Sequence, residues 1–321
     1  MRALYVEEGL ELRNCAAPMR AEDEALVRVL VAGICNTDIE ILKGYMRFRG
    51  IPGHEFVGVV EQASNPGLRG KRVVGEINCV CHDCPECRAG RPHHCMRRTV
   101  LGIQNRDGAF AQYLTLPEEN LHLVPDGVSD EDAVFVEPLA AAFRILEQIT
   151  IRSDDRVIVL GDGKLGQLVA RVMALASDQV LCIGKHRWKL DLLKDPGIKT
   201  ATVDEPVAPG ADVVVEATGS ADGLRRAIEL VRPEGTIVLK TTIAGESVAA
   251  MSVPVINEVR ILGSRCGPFK PALEALSLGT VEVASLVSAR FGLEQGVEAF
   301  DRSTASDVIK VLVHMEQRGA A

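Results

Sequence analysis

An α/β chain of two unlike lobes is predicted by three observations. Residues 1 to about 125 carry short β-like runs broken by glycine, proline and charged turns. From about residue 153 short apolar runs alternate with helical patterns. The length, 321 residues, is long for one compact domain and comfortable for two. Together these give an irregular β-rich lobe and a doubly wound parallel sheet.

In the first lobe the strand candidates are ALVRVLVAG (25–33), EFVGVVEQ (55–62), KRVVGEI (71–77) and AFAQYLTL (109–116). The second style opens on RVIVL (156–160), a short apolar strand. Leu165, Leu168, Val169, Val172, Met173 and Leu175 then share one helical face. QVLCIG (179–184) follows, then a helix around Trp188–Leu193, a short strand near Ala201, and DVVVEATG (212–219). ADGLRRAIELVRP (221–233) reads as a helix, and GTIVLK (235–240) and VRILGS (259–264) read as strands. PALEALSLG (271–279) is helix-like, and FGLEQGVEAFDRS (291–303) and DVIKVLV (307–313) close the chain. No internal repeat is visible.

Composition narrows the partners. A net charge of −8 opposes a nucleic-acid partner, because phosphate backbones need a basic face. No apolar run reaches transmembrane length, so no membrane partner is expected. The opening MRALYVEEGLELRN lacks the apolar segment of a secretory signal, so a cytoplasmic chain is expected. There, clustered cysteines favour metal over disulfides, and nine cannot all pair.

Cys81, Cys84, Cys87 and Cys95 read C-x2-C-x2-C-x7-C. Four soft ligands at this spacing wrap one tetrahedral zinc ion and leave no open position, which predicts a structural site. Cys79 beside them reads as a spare, and Cys15, Cys182 and Cys266 as packing or free thiols. A second, open type of site is predicted from Cys35 in GICNTD, His54 and Glu55 in IPGHEFVG, and Glu137 in VFVEPLAAA. A thiolate, an imidazole and a carboxylate at wide spacing are zinc ligands that leave room for water or substrate.

After RVIVL comes Gly161-Asp162-Gly163-Lys164-Leu165-Gly166, a G-x-G-x-x-G between a strand and a helix. The first glycine permits the turn, the second lets a pyrophosphate approach, and the third lets helix and strand pack closely. A dinucleotide is therefore expected there, on the helix N-terminus. A strand ending in an acid would favour NAD; here Gly184 holds that position, and Lys185, Arg187 and Lys189 supply positive charge. NADP(H) is expected to be favoured over NAD(H).

The set GICNTD, GHEFVG, the four-cysteine loop, DGAFAQYLTLP, VEPLAAA, GDGKLG and IKVLV resembles the zinc-dependent alcohol and polyol dehydrogenases of the medium-chain superfamily, in order and over nearly the whole chain. The resemblance implies a GroES-like catalytic domain (1–140 and 268–321) with two zinc sites, and an inserted Rossmann domain (141–267). It implies two Zn2+ per chain, one catalytic and one structural, and hydride transfer between a small-molecule alcohol and NAD(P). By that resemblance Cys35 and His54 are catalytic zinc ligands, Glu55 a ligand or its neighbour, and Glu137 the third-ligand position, where glutamate points to polyols or secondary alcohols. Thr37 matches the hydroxyl that takes the substrate proton, and Glu40 stands where many relatives finish the relay with histidine. Lys310 matches a base touching the cofactor phosphates. A homo-oligomer, dimer or tetramer, is usual in the family. Tyr45, Met46, Phe48 and Phe110, with Arg47 and Arg49 nearby, are candidates for the substrate wall. The rivals are a zinc-free quinone or enone reductase of the same superfamily, a zinc-ribbon nucleic-acid binder, and a non-catalytic NADPH sensor. The first and the last should lack the Cys35, His54 and Glu137 set, and the ribbon has no use for the glycine loop.

Overall fold

The computed structural model describes residues 1–194, 197–241 and 251–315. The chain divides into two compact units. The first comprises Met1–Glu137, Leu273–Leu278 and Glu282–Ala321; the second comprises Pro138–Ala272 and Gly279–Val281.

The first unit is built on a seven-stranded sheet. Its hub is Glu24–Gly33, which pairs antiparallel with Glu55–Gln62, Tyr113–Pro117 and Lys310–His314. Along the hub Val27, Val29 and Val31 are buried, whereas Leu26, Arg28 and Leu30 are half-exposed, the period-2 pattern of a strand with one core face. Arg72–Gly75 and Leu121–Leu123 extend one edge, and Val287–Gly292 lies parallel to Lys310–His314 at the other.

The second unit carries a six-stranded sheet, parallel throughout. Its spatial order is Lys199–Thr202, Gln179–Gly184, Arg156–Leu160, Ala211–Glu216, Val231–Leu239, Arg260–Gly263. Val157, Ile158 and Val159 are fully buried, which explains an apolar run with no alternation. The strand order reverses beside Arg156–Leu160, so the glycine loop that follows it sits at the switch point where such sheets bind ligands. The helix expected over 221–233 ends at Leu230, because β-branched Val231 already pairs with Ala211 in the sheet. Among the described residues no helix is long and apolar enough to cross a membrane.

Candidate active site and metal centres

In the first unit Gly33 lies opposite Glu55 in the antiparallel ladder. This register brings His54 and Glu55 back beside Cys35, which stands just past the end of Glu24–Gly33. Cys35, His54 and Glu55 each offer a ligand atom, all within 4.8 Å of one another. His54 and Glu55 are buried and Cys35 is half-buried. A helix, Asn36–Leu42, starts immediately after Cys35. Its third residue, Asp38, accepts the Cys35 backbone N–H through Oδ2 at 2.8 Å. The other oxygen, Oδ1, lies 3.2 Å from His54 Nδ1. Neither atom has another hydrogen-bond partner, so the two face one another as an electrostatic pair.

Lys310 joins this cluster. Its strand hydrogen-bonds the hub through Ile34 N–H to the Val311 carbonyl, 3.0 Å. The Lys310 ammonium, 1% exposed, bonds Glu55 Oε2 and lies 5.5 Å from the Phe135 ring. Lys310, expected to meet cofactor phosphates, is paired to Glu55 and shielded from solvent. Burial pulls both His54 and Lys310 down, yet both stand above their ordinary values. For His54 the Asp38 carboxylate and the Cys35 thiolate outweigh burial; for Lys310 the Glu55 carboxylate and the Cys35 thiolate do. The anionic neighbours favour positive charge at this place, and thiolate, imidazole and carboxylate suit zinc.

Glu137 is not among these three. It stands half-buried in the first turn of the helix Val136–Gln148, while Glu55, sequence neighbour of His54, occupies the carboxylate place. Thr37 is half-buried, with Oγ1 3.8 Å from Cys35 Sγ. Glu40 is drawn away by Lys43, Oε1 to Nζ 2.9 Å. Two of the expected wall aromatics are core. Phe110 is fully buried edge-on to Phe300, with centroids 5.1 Å apart, and Phe48 packs with Val6 and Ile41. Tyr45 and Met46 are exposed, on a turn where Met46 and Arg47 hold left-handed backbone.

The four-cysteine loop forms a second centre. Cys81, Cys84, Cys87 and Cys95 have sulfurs all within 4.8 Å, and Cys79 is outside the group. Sulfur pairs stand at 3.4, 3.5 and 3.8 Å. A zinc–sulfur tetrahedron with bonds of about 2.3 Å has edges of about 3.8 Å. The thiols also show the charge demand of a cation site. Backbone N–H groups, first that of Asp83, pull Cys81 down to about 6. Burial and the neighbouring thiols push Cys87 up to about 12, since the anions cannot all form uncompensated.

In the second unit Gly161 has φ +116°, and a Cβ there would meet the Ala217 carbonyl oxygen at 2.5 Å. A Cβ on Gly166 would stand 2.0 Å from the Gly161 carbonyl oxygen, so that helix and strand close only on glycine. Gly163 caps the helix Lys164–Ala174, with open space where its side chain would be, and Lys164 and Leu165 form the first turn. Gly184 is buried at the next strand end. Of the three expected cations, Arg187 is paired to Glu205 and Lys189 is buried, its ammonium 5.2 Å from the Trp188 ring. Lys185 is exposed.

Asp38 is the site residue the sequence reading missed. Its signal was present in Cys35-x-x-Asp38, an acid at the third helical position that reaches back to the residue before the helix.

Comparison with known proteins follows this division. Residues 21–126 match the model of the alcohol dehydrogenase GroES-like domain, and residues 131–315 match that of the glucose dehydrogenase C-terminus. A D-arabitol-phosphate dehydrogenase of Enterococcus avium is 29% identical over 94% of this chain and 92% of its own. A sorbitol dehydrogenase of Halalkalibacterium halodurans is 29% identical over 92% and 93%. A protein of Sinorhizobium meliloti assigned as a zinc-binding dehydrogenase, solved with NADP, superposes with a TM-score of 0.90 at 28% identity over 98% of both chains. With the second family model alone spanning more than half of the sequence, the chain belongs to the zinc-type medium-chain alcohol and polyol dehydrogenases, oxidoreductases that use zinc and a nicotinamide cofactor.

Proposed function

We propose that this chain is a cytoplasmic enzyme, homo-oligomeric, that interconverts a secondary alcohol or polyol with its ketone. The observation that carries the reading is the trio Cys35, His54 and Glu55, half-buried at Cys35 and buried at the other two, kept apart in the chain from the closed four-cysteine loop. Cys35 and His54 would hold the catalytic zinc, with Glu55 as the third donor and Glu137 as the other carboxylate candidate. Zinc there supplies Lewis-acid polarisation of the substrate oxygen. Asp38 faces His54 Nδ1, so the ring keeps its proton on that side and offers Nε2 as the donor. Lys310 pairs with Glu55 and so fixes where this side chain lies beside Cys35 and His54. Thr37 takes the proton of the alcohol on its hydroxyl. Glu40 is held by Lys43, so the proton leaves Thr37 for water rather than for a further side chain.

The turn Gly161–Gly166 would hold the cofactor pyrophosphate at the N-terminus of Lys164–Ala174. The 28% identical relative solved with NADP and the exposed Lys185 support a 2′-phosphate; the engaged Arg187 and the buried Lys189 do not. Cys81, Cys84, Cys87 and Cys95 would hold a second zinc that maintains shape. Tyr45 and Met46 are left as the exposed candidates for substrate contact.

The test is a panel of polyols and secondary alcohols with each cofactor, run on wild type and on Cys35→Ala and His54→Ala. Both variants should lose turnover while still binding the dinucleotide. Turnover unchanged in either would remove the zinc mechanism, and light scattering at the mass of one chain would remove the oligomer.

A further inference from the structure

We infer that Asp162, the second residue of the glycine turn, is the acid that reads the adenosine ribose of the cofactor, and that it turns the site toward NAD. This rests on the reading that Gly161–Gly166 holds a nicotinamide dinucleotide. The ordinary ribose acid projects from the end of the second strand, here Gly184. A side chain there has no room. A Cβ on Gly184 would stand 2.4 Å from Asp162 Cβ, 2.6 Å from its Cγ and 2.7 Å from its Oδ2. The missing side chain of Gly184 and the carboxylate of Asp162 therefore occupy the same space, so the acid here stands on the turn rather than at the strand end.

The carboxylate is held rather than loose. Oδ2 accepts the His186 backbone N–H at 2.6 Å and lies 3.1 Å from His186 Nδ1. Among the described residues no protein donor reaches Oδ1. The residue is 8% exposed, anchored on one oxygen with the other left to accept from a ligand. It lies past the carboxyl ends of Arg156–Leu160 and Gln179–Gly184, at the switch point of the sheet. A fixed carboxylate there accepts from ribose hydroxyls and repels a 2′-phosphate. The opposing feature is Lys185, an exposed ammonium close in sequence. A solvated lysine is screened, whereas the buried carboxylate is not, so the carboxylate dominates.

The test measures binding rather than turnover: fluorescence titration of the zinc-loaded protein with NADH and with NADPH. Asp162→Asn keeps the size of the side chain and an acceptor for the His186 N–H, and circular dichroism checks its fold. A second variant, Asp162→Gly with Gly184→Asp, returns the acid to the strand end. Wild type should bind NADH more tightly than NADPH. Asp162→Asn should weaken NADH about tenfold, the size of a lost charged hydrogen bond, without weakening NADPH. The swapped variant should recover NADH. A wild-type preference for NADPH, or an NADH to NADPH ratio unchanged by Asp162→Asn, would overturn the assignment. Failure of wild type to bind either cofactor would instead remove the dinucleotide reading, and the assignment with it.

Discussion

Removing Lys310 should be among the costliest single changes in the first unit. Lys310 and Glu55 are each 1% exposed and bond one another directly. The packing around them leaves no slack. A Cβ on Gly33 would meet Glu55 Oε2 and Val134 Cγ1 at 2.7 Å each, with Lys310 Cδ at 3.5 Å. Lys310→Met fills most of the lysine volume but leaves the buried Glu55 carboxylate beside the Cys35 thiol without its ammonium. Breaking a buried pair from one side costs about 3–5 kcal/mol, because the remaining charge loses its compensation. Glu55→Gln should cost a similar amount, since it takes from the buried Lys310 ammonium its directly bonded carboxylate. The double variant removes both charges together, so it should cost less than the two singles added, by about 2 kcal/mol or more. Urea midpoints of the four proteins at fixed zinc give the cycle. Single variants within about 1 kcal/mol of wild type, with no coupling, would refute a buried ion pair as the support of this site.

Three further outcomes are expected. Asp38→Asn should still accept the Cys35 N–H through its carbonyl, but it turns an amide NH2 toward His54 Nδ1 and so favours the wrong imidazole tautomer; zinc affinity of the catalytic site should fall about 10–100-fold in a chelator competition. Cys84→Ser should release one zinc per chain and lower the melting temperature before it alters turnover, and an equal loss of activity and zinc at full stability would contradict a structural loop. Glu24 is pushed up by burial but held below its ordinary value overall by Arg106, at 2.8 Å. Its contribution is therefore present above the ordinary glutamate value of 4.5 and is lost as pH falls through the lower folded value. Glu24→Gln should be less stable than wild type at neutral pH, with the gap in urea midpoints closing in acid; a gap that widens in acid would reverse the sign of the argument.

Much of this was legible because the chemistry depends on residue types at fixed places in the chain. RVIVL followed by G-x-G-x-x-G specifies a strand, a turn and a helix start, each of which the residues themselves require. The four cysteines are local, so their spacing states their geometry. What was not legible depends on the third dimension. Phe48 and Phe110 follow glycine-rich turns near the metal residues, yet which way an aromatic points from a turn is set by the sheet beneath it. Lys310 matches a base touching the cofactor phosphates in sequence, and nothing near it in the chain shows that it pairs with Glu55, far away in sequence. Asp162 and Gly184 explain one another only when the two strands lie side by side; read alone, the glycine looks like a missing acid. Glu137 is a helix-start glutamate in sequence, and the ladder register, which gave the carboxylate place to Glu55, is not visible in its neighbourhood.

The division of labour between the two metal centres is tested most directly by zinc content and turnover measured on the same preparation of His54→Ala. The account predicts two zinc ions per chain in wild type, and one in the variant, retained by Cys81, Cys84, Cys87 and Cys95, with the fold intact and turnover gone. A variant that keeps both ions, or keeps turnover with one, would contradict it.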